Sequence, residues 1–234
     1  MAHLIEPGDV ISYIEMCQEE GASLQRGMNF RLRGQQSVIL MSLRPGAPYP
    51  DRVEDNGRTL IYEGHNAARR EGGPNPYRVD QPSRLPSGVL TQNGLFLNAA
   101  LSAKAGEKPP ERVKVYEKIR DGVWAYNGIF SLVDAWHEKT GRRRVYKFKL
   151  VLVEALPTAI TGPAPELPHN RLIPSEVKLE VWKRDGGKCV LCGSKKNLHF
   201  DHDIPYSEGG SSLTAKNIRI LCAKHNLQKH AKIM

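Results

Sequence analysis

Four residues that can bind a metal ion stand in two tight pairs near the end of the sequence. Cys189 and Cys192 are separated by two residues, and so are Cys222 and His225. Thiolate sulfur and imidazole nitrogen hold Zn²⁺ in a tetrahedron, and paired spacing of this kind is typical of structural zinc sites. A short C-terminal segment buries little core, so a metal ion is a physically reasonable source of stability. The spacing predicts a structural zinc, and the alternative is four unrelated residues.

The residues within and after these pairs resemble the HNH nucleases, also called ββα-metal nucleases, over residues 186–231. The resemblance is carried by C-x2-C, then Asp201-His202-x-x-Pro205, Gly209-Gly210, Asn217, and Cys222-x-x-His225-Asn226-x-x-Lys229. It implies that His202 is the general base that activates water. It also implies that Asp201 and Asn226 hold one catalytic divalent cation (Mg²⁺, Mn²⁺ or similar), and that Asn217 orients the base through its loop. The zinc would be structural only.

The side chains of Asp201 and His202 suit phosphodiester hydrolysis. The reaction needs a base with a pKa near neutrality, which histidine provides. It also needs a Lewis acid on the scissile phosphate and the leaving oxygen. Consecutive side chains of a strand point to opposite faces, so one can hold metal while the other addresses water. The alternative for this dipeptide is a surface turn.

Two further histidines near this motif are ambiguous. His199 shares a strand face with Asp201, and we assign it no role. His230 could contact metal or phosphate, or it could face solvent on a terminal helix.

The composition describes an ordinary globular chain. Of 234 residues, 40% are hydrophobic and 25% are charged, which argues against wholesale disorder and allows one or two domains. No apolar run is long enough to cross a membrane, and we recognise no secretory signal. Three cysteines cluster with metal-ligand spacing, as in a reduced compartment, while Cys17 stands alone as an expected inert thiol. We therefore expect a soluble, cytoplasmic protein.

The positive charge of the chain is concentrated near its end. The formal net charge is +9, and residues 170–234 hold 12 Lys or Arg against 6 Asp or Glu, hence +6. A dense basic segment favours a polyanionic partner, most often nucleic acid. The alternative is a solvated, lysine-rich surface.

A proline-rich stretch divides the chain. Residues 156–175 contain five prolines and predict an extended linker. The resulting division is an N-terminal domain of residues 1–155, a linker of residues 156–174 and a C-terminal domain of residues 175–234, in the α+β class. β-branched and aromatic residues predict strands at 37–43, 58–64 and 144–154, and a short strand is expected at 198–202. Helices are predicted at 94–105, at 130–141, from an N-cap at Ser175 to Gly186, and around 215–232.

Residues 1–155 resemble the SRA (SET and RING associated, or YDG) domain, a curved β-barrel with flanking helices that binds modified cytosine in DNA. The matching segments are Ser37-Val38-Ile39-Leu40, Asp55 to Gly64, Asp80-Gln81, Asn98-x-x-Leu101, Trp124 to Phe130, Val133, Trp136, and Val145-Tyr146-Lys147-Phe148. Asn127 stands where the family has the aspartate of YDG.

The resemblance implies a pocket that receives a flipped base. In the family, the base lies between two aromatic rings, and an aspartate binds the exocyclic amine of cytosine. Tyr62 matches one ring, and Tyr49 with Asp51 fits the other ring and the carboxylate, although one residue separates them where the family has two. The alternative is that both tyrosines are ordinary strand aromatics. The loop 65–93, with Arg69, Arg70, Arg78 and Arg84, would reach into the duplex.

Together the two resemblances favour a modification-dependent restriction endonuclease (type IV-like, Mcr-type). Its partner would be double-stranded DNA that contains 5-methylcytosine or 5-hydroxymethylcytosine. Two other functions stay open: a non-catalytic reader with a zinc module, and an HNH nickase that reads DNA shape. Each HNH centre cuts one strand, so a double-strand break predicts a homodimer. The sequence does not locate its interface.

Overall fold

The computed structural model describes residues 5–69, 71–153, 172–204 and 210–229. We call residues 5–153 the N-terminal part and residues 172–229 the C-terminal part. The strands of the whole chain are β1 (Asp9–Ser12), β2 (Met28–Asn29), β3 (Ser37–Met41), β4 (Arg52–Glu54), β5 (Thr59–Glu63), β6 (Glu111–Arg120), β7 (Val123–Thr140), β8 (Arg143–Leu152), β9 (Leu198–His202) and β10 (Ile218–Cys222). Its α-helices are α1 (Tyr13–Glu19), α2 (Gln92–Lys104), α3 (Ser175–Asp185) and α4 (Ala223–Lys229).

One ten-stranded sheet runs through both parts of the chain. Its main path is β10-β9-β1-β7-β6-β3-β2, and β8 joins β7 to β5, which pairs with β4. Only the pairing of β3 with β6 is parallel among the strand pairs that the described ranges contain. Register shifts interrupt β7 opposite β6 and β8, and such bulges bend a strand and increase its twist. The predicted α+β class is confirmed.

The prediction of a helix at 130–141 is wrong, because this segment is the second half of strand β7. Phe130 and Leu132 are buried while Ser131 is half-buried, which is the period of a strand. Strands β6 and β8 flank β7 and pair with the hydrogen-bonding groups of its backbone. This pairing outweighs the local helix propensity. Gly141, taken as a helix stop, begins the two-residue turn of the β7–β8 hairpin with φ +61°.

The core of the N-terminal part lies between α2 and the sheet. Phe96 of α2 is fully buried and meets Phe148 of β8 edge-on, with ring centroids 5.9 Å apart. The side chain of Thr91 caps α2 by accepting the N–H of Gly94. The predicted strands 37–43, 58–64 and 144–154 and the predicted helix 94–105 are confirmed to within two residues at each end.

The C-terminal part is a helix followed by a β-hairpin and a second helix. Helix α3 ends at Gly186 in the left-handed region, as predicted, but its N-cap position is Pro174 rather than Ser175. Strand β9 is confirmed. The predicted helix 215–232 is wrong over Ile218–Cys222, which forms β10 because its backbone pairs with β9 over five residues. Helix α4 occupies only Ala223–Lys229 of the predicted span, and residues 230–232 lie outside the described part.

The short strand β1 connects the two parts. It pairs with β7 of the N-terminal part on one side and with β9 of the C-terminal part on the other. Most of the predicted linker, residues 156–171, lies outside the described residues, and the three-way division of the chain stays a prediction. Within the described residues, no helix is both long and apolar enough to span a membrane.

Candidate functional sites

The four predicted zinc ligands come together at one point. The Sγ atoms of Cys192 and Cys222 are 3.8 Å apart, and Nδ1 of His225 lies 3.3 Å from Sγ of Cys222 and 3.4 Å from Sγ of Cys189. All four ligand atoms lie within 4.8 Å of one another. Sulfurs bound at about 2.3 Å to a tetrahedral zinc are about 3.8 Å apart. The donor set and its spacing therefore fit a zinc ion.

Local structure favours the metal-binding form of Cys189. Burial raises the pKa of this thiol, but backbone hydrogen bonds at Cys222, Cys192 and Leu191 and the His225 ring outweigh burial and bring the pKa down to about 6. The thiolate is the species that binds metal. Strand β10 and helix α4 supply Cys222 and His225, while a turn after α3 supplies the other pair.

His202 lies at the end of β9, beside the loop that leads to β10. Its Nε2 is 2.7 Å from Oγ of Ser212, and the Ser212 side chain is 2% exposed. The serine therefore fixes the orientation of the imidazole ring. The sequence analysis did not single out Ser212, and its position two residues after Gly210 is the only signal that the sequence offers.

The side chain of Asn217 forms hydrogen bonds to both ends of this loop. Its Oδ1 accepts the N–H of Ile204 at 2.8 Å, and its Nδ2 donates to the carbonyls of Ile204 and Ser211, each at 3.1 Å. A Cβ at Gly210 would collide with the carbonyl of Ile204, so only glycine fits this close approach. Asn217 thus links Ile204 to Ser211, the neighbour of the His202 partner Ser212.

Asp201 lies on the face of β9 that helix α4 covers. Lys229 of α4 donates to Oδ2 of Asp201 at 2.5 Å and also contacts the carbonyl of His202. The Lys229 side chain is only 3% exposed, so this pair links α4 firmly to β9. Asn226 lies one turn earlier on α4 and is half-buried. Carboxylate and amide oxygens suit a hard divalent cation, so the residue types fit one.

Arg219 is a charged residue at this site that the sequence analysis missed. It lies directly opposite Asp201 in the hairpin, and its Nη1 is 3.0 Å from Oδ1 of Asp203. Its Nε and Nη2 are buried without a hydrogen-bond partner among the residues that the structure describes. The site therefore carries two cations beside its carboxylates, the buried Lys229 and the half-buried Arg219.

The three predicted pocket residues converge in the N-terminal part. Oδ1 of Asp51 accepts the N–H of Glu63 at 3.1 Å, and Oδ2 accepts that of Ser42 at 3.3 Å. Burial nevertheless raises the pKa of Asp51 to about 7. The pKa of Tyr62 is raised first by burial and then by the charge of Asp51, so the two groups are close. Tyr49 is half-buried beside them.

The accessibility of the two predicted rings differs. Tyr62 is 1% exposed and belongs to the hydrophobic core, so its ring is covered by its neighbours in this structure. The Tyr49 ring is stacked with that of His65, with centroids 6.0 Å apart and an angle of 27° between planes. A Cβ at Gly27 would lie 2.5 Å from the Tyr62 hydroxyl and 3.2 Å from Nε2 of His65. His65 therefore belongs to this cluster, although the sequence analysis gave it no role.

The start of the loop 65–93 is anchored at the pocket. Asn93 accepts the N–H of His65 and donates to its carbonyl, both at 2.8 Å. Gln81 donates to the carbonyl of Gly64 at 2.6 Å. Arg84 donates to the carbonyl of Gly88, and Arg70 lies outside the described residues.

One segment of the C-terminal part matches a known protein family. Residues 189–232 match the family model described as HNH endonuclease, which confirms the resemblance of this segment. No curated protein matches the chain.

The solved structures similar to this chain include SRA domains. The SUVH5 SRA domain with fully methylated CG DNA is 24% identical, covers 65% of this chain and 92% of that chain, and has a TM-score of 0.46. The same domain with methylated CHH DNA is 21% identical, with coverages of 67% and 94% and a TM-score of 0.47. KRYPTONITE in complex with mCHG DNA and SAH is 19% identical, with coverages of 67% and 34% and a TM-score of 0.43.

Proposed function

We propose that this protein is a modification-dependent DNA endonuclease, of the type IV-like, Mcr-type class. The observation that carries the proposal is the frame formed by β9, β10 and α4. It carries His202 and Asp201 at one end of the hairpin and the zinc ligand Cys222 at the other, within a segment that matches the HNH endonuclease family. The nuclease activity rests on this segment, and the modified-base specificity rests on the pocket of the N-terminal part.

His202 acts as the general base. When Ser212 Oγ accepts the Nε2–H, the lone pair of the imidazole lies on Nδ1, which can take a proton from water. A positioned base of this kind contributes roughly 10²- to 10⁴-fold to the rate. Asn217 positions His202 by fixing the loop ends and does not itself react.

Asp201 and Asn226 would hold the catalytic divalent cation. A bound cation supplies Lewis-acid stabilisation to the phosphate and the leaving oxygen. Lys229 keeps the Asp201 carboxylate on the face covered by α4 and balances its charge. The zinc bound by the Cys3His cluster would hold α4 against the hairpin and take no part in hydrolysis.

The pocket of the N-terminal part would bind the modified base after it leaves the duplex. Stacking of the base on Tyr49 offsets the cost of unstacking it from the duplex. The ionised carboxylate of Asp51 accepts a hydrogen bond from the N4 amino group of cytosine. Tyr62 forms the inner wall of the pocket. The partner is double-stranded DNA with 5-methylcytosine or 5-hydroxymethylcytosine, and a homodimer would supply the two centres that a double-strand break needs.

Digestion of matched duplexes tests the proposal. Duplexes that are methylated, hydroxymethylated or unmodified at one cytosine are incubated with Mg²⁺ or Mn²⁺, and their products are resolved. We expect cleavage of the modified duplexes only. Selective binding without cleavage would instead support the non-catalytic reader. Equal nicking of all three duplexes would support the shape-reading nickase.

A further inference from the structure

The C-terminal part shares a hydrophobic core with the N-terminal part. Ile119 of β6 and Ala125 of β7 are buried in the same cluster as Val181 of α3 and Phe200 of β9. Val10 of β1 packs against this cluster as well. Separating the two parts would expose this apolar surface to water, which is unfavourable.

Backbone hydrogen bonds cross the same boundary. Asp9 and Val10 of β1 pair with His199 and Leu198 of β9, and the N–H of Phe200 donates to the carbonyl of Gly8 at 3.1 Å. Nδ1 of His199 also lies 2.8 Å from Oδ1 of Asp9. The catalytic strand β9 is therefore an integral strand of the sheet that carries the base pocket.

A buried lysine fixes helix α3 at this boundary. Nζ of Lys178 donates to Glu117 of β6 at 2.8 Å and to Oδ1 of Asn127 of β7 at 2.7 Å. Nδ2 of Asn127 donates to the same Glu117 carboxylate at 3.0 Å. The side chains of Lys178 and Glu117 are only 2% and 1% exposed.

The geometry of this cluster leaves little freedom to helix α3. A fully buried lysine is rare unless it is paired, and removing one partner leaves an uncompensated charge. The amide of Asn127 is suited to the cluster because it accepts from Lys178 with one end and donates to Glu117 with the other. Burial raises the pKa of Glu117, but Lys178 together with hydrogen bonds from Ser175 and Asn127 outweighs burial and keeps the pKa below its usual value.

We propose that Lys178 is a positioning residue that seats the C-terminal part on Glu117 and Asn127, so that the shared sheet fixes the distance from the flipped base to the scissile phosphate. The length of the segment 154–171 then does not set the position of the cut. This inference rests on the proposed function, since it concerns where that function acts.

Mapping of cut sites tests the role of Lys178. Each protein cleaves a labelled duplex with one modified cytosine, and the cut positions are read at single-nucleotide resolution. Insertion of about ten Gly and Ser residues within 154–171 should leave the cut positions unchanged. Lys178→Met should spread the cuts over at least twice as many positions. Lys183→Met, an exposed lysine on the same helix, should cut as the unaltered protein does.

A double variant distinguishes the loss of the Lys178 contacts from the effect of leaving Glu117 as a buried unpaired charge. Glu117→Gln with Lys178→Met removes both charges and should leave the cut pattern as broad as in Lys178→Met alone, because both variants lack the positioning lysine; a pattern restored to that of the unaltered protein would assign the broadening to the unpaired charge and overturn the proposal. A shifted or broadened pattern from the insertion in the otherwise unaltered chain would overturn the proposal. So would identical patterns from Lys178→Met and Lys183→Met.

Hydrogen exchange tests the docking of the C-terminal part on the N-terminal part without any need for catalysis. The amide of Phe200 should exchange slowly in the unaltered protein and in Lys183→Met, and at least tenfold faster in Lys178→Met. If the unaltered protein cleaves no modified duplex, the proposed function fails, while this measurement still decides the docking. Fast exchange of Phe200 in the unaltered protein would refute the docking.

Discussion

Strand β9 carries three polar side chains that have different partners. His199 contacts Asp9 of the N-terminal part, Asp201 pairs with Lys229 of α4, and His202 contacts Ser212. Alternation along the strand separates His202 from the other two. One strand therefore both anchors the C-terminal part and presents the residue proposed as general base.

Replacing His202 tests the proposed base. We expect His202→Ala to slow cleavage of a methylated duplex by roughly 10²- to 10⁴-fold, because water loses its proton acceptor. Affinity for that duplex should stay unchanged, since the base pocket lies in the N-terminal part. Cleavage rates and equilibrium binding are measured on the same substrate.

Asn226→Ala is the matched comparison for the metal site. It should weaken cation binding, so excess Mn²⁺ should partly restore its activity but not that of His202→Ala. Unchanged cleavage by purified His202→Ala, with contaminating nucleases excluded, would contradict the assignment.

The two predicted pocket tyrosines should respond differently to truncation. Tyr49 is half-buried, so Tyr49→Ala should lose about 1–3 kcal/mol of stacking and roughly 5- to 150-fold of affinity for modified DNA. Tyr62 is a core residue, so Tyr62→Ala should also destabilise the fold by about 3–5 kcal/mol. Thermal unfolding and binding to modified and unmodified duplexes distinguish the two effects. An equal loss of affinity on both duplexes in Tyr49→Ala would argue against the pocket.

Binding of modified cytosine should depend on the ionisation of Asp51. Burial raises the pKa of this carboxyl to about 7 in the folded protein, and the ionised form accepts a hydrogen bond from the amino group of cytosine more strongly than the protonated form. Affinity should therefore fall about tenfold as the pH drops from about 8 to about 6. Burial brings the pKa of His65 down to about 4, so this ring stays neutral throughout.

The effect of Asp51 on stability has the opposite sign. Because its folded pKa is raised, its contribution is complete below its unfolded pKa, near 4, and is lost as the pH rises through about 7. Asp51→Asn should make both profiles flatter across this range, and binding of an unmodified duplex serves as the control at each pH. A pH profile that Asp51→Asn leaves unaltered would assign the dependence to another group.

At the scale of elements, the zinc cluster holds α4 against the β9–β10 hairpin. Cys192→Ser should release zinc and increase hydrogen exchange in α4 and the hairpin, because helix α4 is too short to be stable alone. Cys17→Ser, at a cysteine outside the cluster, should retain both zinc and protection. Zinc content and exchange are measured for both variants. Stoichiometric zinc with full cleavage in Cys192→Ser would rule out the structural site.

At the scale of the whole molecule, the net charge of +9 predicts strong non-specific binding to DNA. Affinity for an unmodified duplex should fall linearly on a log–log plot between about 50 and 200 mM salt, with a slope of roughly −0.9 per neutralised phosphate. The ratio of affinities for modified and unmodified duplexes should change little, since stacking releases no counterions. Titrations at several salt concentrations measure both quantities. A ratio that approached one at high salt would mean that the selectivity for modified DNA is electrostatic.

The sequence by itself determined the features that depend on short spacings. Two residues between ligands bring each zinc pair together, and these pairs are readable without a fold. Runs rich in β-branched and aromatic residues predicted β3, β5 and β8, and Gly186 marked the end of α3, because such preferences act within a few residues. The assignment of Asp201, His202, Asn217 and Asn226 came from a motif of the same local kind.

Only the tertiary structure decided which distant groups become partners. Residues 130–140 form a strand because β6 and β8 lie on either side, and Ile218–Cys222 form a strand because β9 does. Lys178 and Lys229 would be placed in solvent by residue type alone. Each is buried because a carboxylate far along the chain compensates its charge, and the spacing of the sequence does not encode such pairs.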